Sequence, residues 1–458
     1  MKYSILTFGC RVNQADSFEF EESLRASGAV AARAEDADLI VVNTCTVTGA
    51  ADQGARHLIR RIARDNAKAR IVVTGCYATR EPAALESLPH VARLVPNQEK
   101  DHFVQVLRNP AVATEMGIGA FEADPAGEVS AALRFGEDDG SCGAHLQPGV
   151  MGRTAYPLRV QTGCDETCAF CIIPSTRGAS RSRPLAGVLV EVERLAGAGY
   201  KEIWLVGVHL GSYGRDLAER ESLAGLLRAL DSVSGDVTFR ISSLEPMDCS
   251  PDIVDLLAKS GRFAPHLHLP LQHGTDRVLG LMRRPYTRDF YMDLVGYIHA
   301  RLPYASIGTD LIAGLPGESE DDAEESADAI ARLPLSYLHV FPYSDRPGTP
   351  AAAMTPKVAS ADAKRRAARL REVGARLAAG FVRSQVGTAR PGLTLDDGTT
   401  VLTDNFLKVS IPPGLERNTR VRVRIVTDEP SLAGAPVQGP AGLPGLGDGP
   451  PSEARRAN

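Results

Sequence analysis

Three cysteines occur within eight residues near the middle of the chain, in the order Cys164, Cys168 and Cys171. Thiolates are the protein ligands of iron–sulfur clusters. A CxxxCxxC spacing can hold three corners of a cubane [4Fe–4S] cluster and leaves the fourth iron without a protein ligand. Catalytic metal sites keep such an open position, whereas structural sites are closed. The spacing therefore predicts a catalytic iron–sulfur site whose open iron is chelated by a small cofactor.

A structural zinc site, or three reduced cysteines without metal, is the alternative interpretation of the same motif. A zinc site requires a fourth Cys or His, and the nearest upstream ones are Cys142 and His145. Both lie in a stretch without clear periodicity, and no CxxC pair accompanies them. We therefore favour the iron–sulfur interpretation.

A second set of cysteines is spread through the first 80 residues, and each member follows a predicted strand: Cys10, Cys45 and Cys76. The loops after parallel strands share one edge of a sheet, which is where ligands bind. Three thiolates at that edge predict a second cluster, again with one open iron. The alternative is three ordinary buried cysteines. Asn13 and Asn43 flank these positions and either hydrogen-bond to the cluster or cap the loops.

Alternating strands and helices must position both sets. In residues 1–108 the predicted strands are Tyr3–Thr7, Asp38–Asn43 and Ile71–Thr74, and the predicted helices are 14–27 and Ala51–Ala67. This order predicts an open parallel sheet covered by helices. Residues 109–155 are rich in Gly, Ala, Asp and Glu and are predicted to be a linker that is partly flexible.

Residues 156–378 repeat the alternation, and their six predicted strands are Leu158–Gln161, Glu202–Val206, Thr238–Ser242, His266–Leu269, Ser306–Leu311 and Leu338–Phe341. Six such units predict a partial (β/α)6 barrel, with its chemistry at the carboxyl ends of the strands. A helix from about Ser360 to Leu377 ends this part. His266 and His268 face the same side of one strand, and we interpret them as packed or hydrogen-bonded side chains rather than a metal pair. Cys249 has no partner pattern and is predicted to be a packed thiol.

Residues 383–428 are rich in strands and turns and predict a small all-β barrel, followed by a Gly/Pro-rich tail at 429–458 that is expected to be disordered. Arg420, Arg422 and Arg424 alternate with valines and thus share one strand face. The preceding helix adds further cations, namely Lys364, Arg365, Arg366 and Arg369. Such a face can contact phosphates, although a solvated surface is the simpler interpretation. Phe406 is expected in the core rather than stacked on a base.

The composition limits the function classes. The 458 residues carry a net charge of −5, so any nucleic-acid contact depends on local patches rather than bulk electrostatics. Apolar runs fall short of the roughly 20 residues of a membrane-spanning helix, and we expect no membrane association and a cytoplasmic location. Reduced thiols are the normal state of cysteine there, which argues against a disulfide framework.

The trio with Phe170 before its last cysteine resembles the radical S-adenosylmethionine superfamily. The segments Ile172-Ile173-Pro174 and Thr176-Arg177-Gly178 resemble its methylthiotransferase family. That resemblance implies two [4Fe–4S] clusters, with Cys10, Cys45 and Cys76 holding the auxiliary one, and S-adenosylmethionine as cofactor. The residues it implies for binding this cofactor follow successive strands: Phe170, Gly207, His209, Ser243, Glu245, Gln272 and Asp310.

The segments 7–14, 43–48, 73–77 and 207–211 most resemble the branch of this family that acts on threonylcarbamoyladenosine in tRNA. The resemblance implies transfer of a methylthio group to carbon 2 of that nucleoside at tRNA position 37. It makes the C-terminal piece a TRAM-like RNA-binding domain. The expected partners are tRNA, an electron donor of the flavodoxin or ferredoxin type and an unknown sulfur donor. Isopentenyladenosine or a ribosomal-protein aspartate is the alternative target, and a non-catalytic RNA-binding metal protein is the alternative class.

Overall fold

The computed structural model describes residues 1–109, 111–112, 154–395, 398–428 and 432–437. Its N-terminal sheet contains five parallel strands in the order β2-β1-β3-β4-β5. They are β1 Lys2–Thr7, β2 Val30–Ala31, β3 Leu39–Thr44, β4 Arg70–Gly75 and β5 Val91–Val95. The two central strands, β3 and β4, are apolar runs buried on both faces, as strands between two helical layers must be. The predicted parallel sheet is confirmed, and β2 and β5 are additional edge strands.

Within residues 1–109 the helices that cover or extend this sheet are α1 Arg11–Ala26, α2 Gly49–Asp65, α3 Cys76–Arg80, α4 Pro82–Glu86 and α5 Phe103–Arg108. A 3₁₀ helix at Asn97–His102 precedes α5. The linker predicted at 109–155 falls largely on residues outside the described ranges.

The central part contains six parallel strands and one short antiparallel pair. The strands are β6 Ala155–Arg159, β7 Gln161–Thr162, β8 Arg181–Ser182, β9 Glu202–Val206, β10 Thr238–Ile241, β11 His266–His268, β12 Ser306–Ala313 and β13 Tyr337–Pro342. They form two sheets, ordered β10-β9-β6 and β11-β12-β13. Isolated bridges from β10, and from the residues that follow it, connect the two sheets. Strand β7 pairs with β8. All six predicted central strands are therefore present.

The helices of this part are α6 Ile173–Arg177, α7 Leu185–Gly197, α8 Leu223–Asp231, α9 Pro251–Lys259, α10 Asp276–Leu281, α11 Arg288–Arg301, α12 Glu320–Ala331, α13 Pro350–Ala353 and α14 Ser360–Gln385. Helix α14 continues eight residues beyond its predicted end at Leu377. No helix within the described ranges is long and apolar enough to cross a lipid bilayer.

Side chains of the central strands alternate between two faces. Ile203 and Leu205 on β9 belong to the large apolar core that the surrounding helices complete. The opposite face presents Trp204, and α1 packs against it through Val12 and Ala15. The N-terminal unit therefore docks onto the inner face of the central strands.

The C-terminal strands close into a barrel ordered β14-β15-β16-β18-β17. They are β14 Ala389–Leu395, β15 Thr400–Thr403, β16 Lys408–Ser410, β17 Arg420–Thr427 and β18 Ala433–Pro436. Strand β18 corrects the sequence prediction, which assigned these residues to the disordered tail. Its Gly, Ala and Pro composition is not typical of a strand, yet the segment pairs with β17. Glycine is needed at position 434 because a Cβ there would lie 2.6 Å from Val423.

Arg420 does not form part of an open cationic face. Its guanidinium pairs with Asp236 and donates to the Lys201 carbonyl at 2.9 Å, so it fastens the barrel to the central unit. Arg240, fully buried on β10, makes a similar connection to the Asp404 carbonyl at 2.8 Å. Neither interpretation of this strand face, a phosphate contact or a solvated surface, describes Arg420.

Three of the four cations named at the start of α14 are likewise engaged within the chain. Arg366 is buried against Glu318 at 3.1 Å, and Arg365 lies 2.7 Å from Glu320. Arg369 contacts acidic residues of α12. Ion pairing with the acidic helix α12, which the sequence pattern of α14 alone did not reveal, accounts for these charges.

Candidate active site

The loop between β7 and β8 holds the first cysteine trio. Gly163 begins it with φ +75°, and a Cβ there would lie 1.9 Å from the Ala179 carbonyl oxygen. Glycine is therefore required where the loop closes on itself. The Cys164 amide donates to the Gly178 carbonyl at 3.0 Å, and the Cys171 amide donates to the Cys168 carbonyl at 3.2 Å. All three thiols are partly exposed.

The electrostatics of this trio suit a cationic ligand. Burial raises the pKa of Cys171 to about 12; a backbone hydrogen bond from Ile173 opposes this shift, and the neighbouring Cys168 and Cys164 thiolates reinforce it. Burial also raises the pKa of Cys168. Thiolates that repel one another in this way are stabilised once iron binds them, so the donor set fits an iron–sulfur cluster.

Arg284 is a site residue that the sequence analysis missed. Its Nη1 lies 3.0 Å from the Cys168 sulfur, and the same guanidinium pairs with Glu245. Its Nε donates to the Tyr286 hydroxyl at 3.0 Å. Glu245, predicted to contact the cofactor, therefore lies beside the trio and orients the cation that faces Cys168. Arg284 lies in a loop 116 residues after Cys168, so no motif spacing connects the two residues.

His209 lies on the other side of the same loop. Its Nδ1 is 3.8 Å from the Cys164 sulfur and its Nε2 is 2.7 Å from Asp248, which also binds Arg215 at 2.6 Å. Burial lowers the pKa of His209, but hydrogen bonds with Asp248 and Cys164 outweigh it and raise the pKa to about 10. The structure thus brings a second cation to the trio, and Asp248 is the residue that orients it.

The second trio meets at the carboxyl edge of the N-terminal sheet. Gly9 has φ +91°, and a Cβ there would lie 2.5 Å from Cys45 Cβ and 2.7 Å from its sulfur, so the loop of Cys10 abuts Cys45. Cys76 begins α3 immediately after Gly75. Burial, reinforced by Cys10 and Cys76, raises the pKa of Cys45 to about 12. The three cysteines therefore lie at one edge of the sheet, where the strand positions predict them.

Two buried cations face this second trio. Burial disfavours the Cys76 thiolate, but Arg177 and Lys100 outweigh burial and lower its pKa. Both cations bind Asp16, with Lys100 Nζ at 2.7 Å and Arg177 Nη2 at 3.0 Å. Arg177 ends α6 in the central unit, so it crosses to the auxiliary site from the loop that follows the first trio.

Asn97 makes a second connection between the two trios. Its side-chain nitrogen lies 3.6 Å from the Cys76 sulfur and donates to the Thr176 carbonyl at 2.8 Å. Thr176 belongs to α6, which begins two residues after Cys171. The two groups of thiols are therefore held in a fixed arrangement through one short helix.

The asparagines that flank the second trio brace its loops. Asn13 donates to the carbonyls of Phe8 at 2.8 Å and Thr44 at 3.0 Å. Asn43 donates to the Asn13 carbonyl at 2.8 Å and accepts from Lys100 at 3.0 Å. Of the two roles left open by the sequence, these contacts match loop bracing.

The other residues predicted to bind cofactor lie around the carboxyl ends of the central strands. Phe170 packs in an apolar cluster with Leu315, and Gly207 approaches Gln161. Ser243 bridges to β11, and Gln272, at φ +74°, donates its amide to the Asp310 carbonyl at 2.9 Å. Their role in binding remains a prediction.

Asp310 lies within β12 rather than after it, because the strand continues to Ala313. Its carboxylate is 3.0 Å from His268 and 3.1 Å from His339. The Tyr337 hydroxyl lies 3.1 Å from His268 and 2.9 Å from His266. The prediction that the two strand histidines are hydrogen-bonded is confirmed. Cys249 is buried in the large apolar core, as predicted.

Comparison with known proteins places this geometry in a family. Residues 2–96 match the uncharacterized protein family UPF0004, and residues 158–330 match the Radical SAM superfamily. The chain is 35% identical to the threonylcarbamoyladenosine tRNA methylthiotransferase MtaB of Aquifex aeolicus, over 93% of this chain and all of that protein. The chain belongs to the radical S-adenosylmethionine methylthiotransferase family. Its cofactors are S-adenosylmethionine and two [4Fe–4S] clusters.

Other members show the range of this methylthiotransferase family. The Bacillus subtilis MtaB is 37% identical over 77% of this chain and 75% of that protein. The tRNA-2-methylthio-N(6)-dimethylallyladenosine synthase of Pelotomaculum thermopropionicum is 33% identical over 78% of each chain.

The fold is similar to that of the radical S-adenosylmethionine methyltransferase TsrM from Kitasatospora setae, with a TM-score of 0.52, 16% identity and coverage of 77% of this chain and 74% of that one.

Proposed function

We propose that this enzyme transfers a methylthio group to carbon 2 of threonylcarbamoyladenosine at tRNA position 37. The observation on which this rests is the pair of thiol trios that α6 and Asn97 hold together, because radical formation and sulfur transfer at one carbon require two neighbouring centres. The threonylcarbamoyladenosine enzymes of Aquifex aeolicus and Bacillus subtilis supply the target.

We assign the residues as follows. Cys164, Cys168 and Cys171 hold the cluster whose open iron binds S-adenosylmethionine, and Cys10, Cys45 and Cys76 hold the auxiliary cluster. When bound, S-adenosylmethionine and the first cluster would supply a hydrogen-abstracting radical, the auxiliary cluster would supply the sulfur, and a second S-adenosylmethionine would supply the methyl group. The chain's own residues fix the loops, and Arg284, His209, Arg177 and Lys100 offset the negative charge of the thiolates.

Each of the three units has its own role in this proposal. Residues 1–108 present sulfur, and the six central strands act as a partial (β/α)6 barrel around the cofactor. The C-terminal barrel is a TRAM-like RNA-binding domain, extended to β18. With Arg420 engaged in the interface, exposed Lys408 and Arg424 and the nearby Arg383 are the cations we assign to phosphate contacts.

The remaining partners follow from the chemistry. Reductive cleavage of S-adenosylmethionine requires one electron, for which we propose a donor of the flavodoxin or ferredoxin type. A sulfur donor must rebuild the transferred sulfur. Because tRNA is the proposed substrate, we place the enzyme in the cytoplasm.

Single-cysteine variants test the assignment of the clusters. We expect Cys168→Ala to abolish formation of 5′-deoxyadenosine, and Cys45→Ala to retain it while losing the methylthio product. Cys249→Ala is the matched control, because this thiol lies in the apolar core outside both trios. Full methylthio product from Cys45→Ala would refute the role of the second trio.

The nucleosides of tRNA from cells that lack the gene test the target. We expect loss of 2-methylthio-threonylcarbamoyladenosine and its return when the gene is restored. Loss of the methylthio derivative of dimethylallyladenosine instead, with the threonylcarbamoyl derivative intact, would refute the proposed substrate. Mass spectrometry separates the two nucleosides.

A further inference from the structure

Arg11 reaches the inner face of the central strands from the loop of the auxiliary site. It follows Cys10 directly, and its guanidinium carbon lies 3.5 Å from the centroid of the Trp204 ring. Trp204 is on the inner face of β9, where Val12 and Ala15 of α1 also pack. The docking of α1 thus delivers a permanent positive charge next to a thiol of the second trio.

A polar wall on the same inner face comes from β11, β12 and β13. His268, Asp310 and His339 form a hydrogen-bonded row along it. The row is open to solvent, since the His339 side chain is 56% exposed and that of Asp310 is 28% exposed. Hydrogen-bonding groups of this wall are therefore accessible to a ligand that enters the inner face.

The amino ends of these strands are closed by the C-terminal barrel. Phe406 packs 4.5 Å from the His266 ring and 5.6 Å from the Trp204 ring, measured between centroids. Arg240 lies beside both rings but is neutralised by Glu202 at 2.9 Å. A ligand on the inner face is thus bounded below by an apolar floor.

The two candidate nucleosides differ in the substituent on N6, and this surface can select between them. Threonylcarbamoyladenosine bears a threonine carboxylate and hydroxyl on N6, whereas dimethylallyladenosine bears an apolar chain there. A buried carboxylate requires a cation and hydrogen-bond partners. A guanidinium binds a carboxylate through two parallel hydrogen bonds and stacks on aromatic rings, which fixes its plane.

We propose that Arg11, seated on Trp204, binds the threonyl carboxylate of the substrate, opposite the row formed by His268, Asp310 and His339. This inference rests on the proposed function and names its specificity determinant. Because Arg11 adjoins Cys10, the residue that selects the N6 substituent belongs to the same loop as the sulfur site. Substrate selection and sulfur transfer are thereby coupled through one turn of chain.

The test uses the full chain with both clusters reconstituted and two synthetic anticodon stem-loops. One contains threonylcarbamoyladenosine, and the other contains its methyl ester, which removes the negative charge and little else. We expect wild-type enzyme to bind the acid at least about tenfold more tightly than the ester, the ratio for losing one charge-assisted hydrogen bond. In Arg11→Gln the two stem-loops should bind alike, and Arg11→Lys should recover part of the preference.

Arg60→Gln is the matched control, because Arg60 is an exposed cation of the same unit on α2. It should change binding of acid and ester by the same factor. The iron content of each variant reports whether both clusters are loaded, and formation of 5′-deoxyadenosine reports whether the cluster of the first trio is active, so that binding is compared among loaded enzymes.

Each outcome decides between the hypotheses. Equal binding of acid and ester by the wild-type enzyme overturns the inference even if Arg11→Gln fails to fold. A preference for the acid that persists in Arg11→Gln also overturns it. If wild-type enzyme methylthiolates neither stem-loop but methylthiolates dimethylallyladenosine, the proposed function fails, and the inference fails with it. If it methylthiolates both equally well and binds them equally, only the inference fails.

Discussion

Replacing Asp16 by Asn is expected to loosen the docking of the N-terminal unit on the central unit. The Asp16 carboxylate is 1% exposed and lies 2.7 Å from Lys100 and 3.0 Å from Arg177, with Arg159 at 3.3 Å. The amide retains the volume but removes the charge. Lys100 and Arg177 then remain buried beside a neutral group, although Arg159 keeps other carboxylates.

The expected loss follows from the cost of breaking a buried ion pair. Removing one partner of such a pair costs about 3–5 kcal/mol, because the other charge stays buried without compensation. We expect a value near the lower limit, since burial already lowers the pKa of Lys100 and release of its proton relieves part of the cost. A loss of about 3 kcal/mol corresponds to more than a hundredfold change in the docking equilibrium.

Trp204 provides the assay, because it is the only tryptophan of the chain and it contacts Arg11 and α1 at this interface. Its fluorescence, followed through urea unfolding of the reduced apoprotein, should show a transition at lower urea in Asp16→Asn. Asp36→Asn is the control, since its pair with Arg33 is exposed and such pairs contribute at most about 1 kcal/mol. A loss below about 1 kcal/mol in Asp16→Asn would refute the argument that these charges fasten the units.

Two further predictions concern the auxiliary site and pH. Gly9→Ala should reduce the iron content to roughly half, because the added Cβ would lie 2.5 Å from the Cys45 Cβ. Cleavage of S-adenosylmethionine should persist. Unchanged iron content would contradict the close approach of this loop to Cys45. Burial lowers the pKa of His273 to about 4, opposed by Asp322. In the unfolded chain the pKa of this histidine is about 6.5. As the pH falls from 6.5 towards 4, the unfolded chain binds a proton here and the folded protein does not, so the free energy of unfolding falls by up to about 3 kcal/mol. His273→Asn should therefore lose less stability than wild type between pH 7 and pH 5 in urea unfolding, and equal losses would contradict this account.

The thiol positions were predictable because their signals are local. Cys164, Cys168 and Cys171 share one loop, and a spacing of three and two intervening residues is visible in the sequence. Cys10, Cys45 and Cys76 are far apart, but each follows an apolar run that predicts a parallel strand, and parallel strands bring their ends together. Motif spacing was sufficient for the first set, and strand periodicity with sheet topology was sufficient for the second.

The charges around the thiols were not predictable in the same way. Arg284 reaches Cys168 from 116 residues away, and Lys100 reaches Asp16 from 84 residues away. No periodicity links such positions, since their meeting depends on how α1, α6 and the loop after α10 pack. The error at Arg420 has the same origin: alternation correctly placed it on one strand face, but which face another unit covers is decided by tertiary packing.

The connection between the two trios explains why one chain joins these units so tightly. Arg177 belongs to α6, the helix that follows Cys171, and Asn97 donates to the Thr176 carbonyl of that helix; both side chains contact the Cys76 site, so a displacement of either loop strains the other. A radical formed at one centre must meet carbon 2 of the same nucleoside that receives sulfur from the other, and misplacement by about 1 Å can cost a hundredfold in rate. We infer that the buried hydrogen bonds and ion pairs at this junction serve positioning more than stability, since replacing a buried ion pair by well-packed apolar residues often leaves the stability unchanged. Arg11 extends the same logic to the substrate, because it is fixed to the auxiliary loop by one peptide bond.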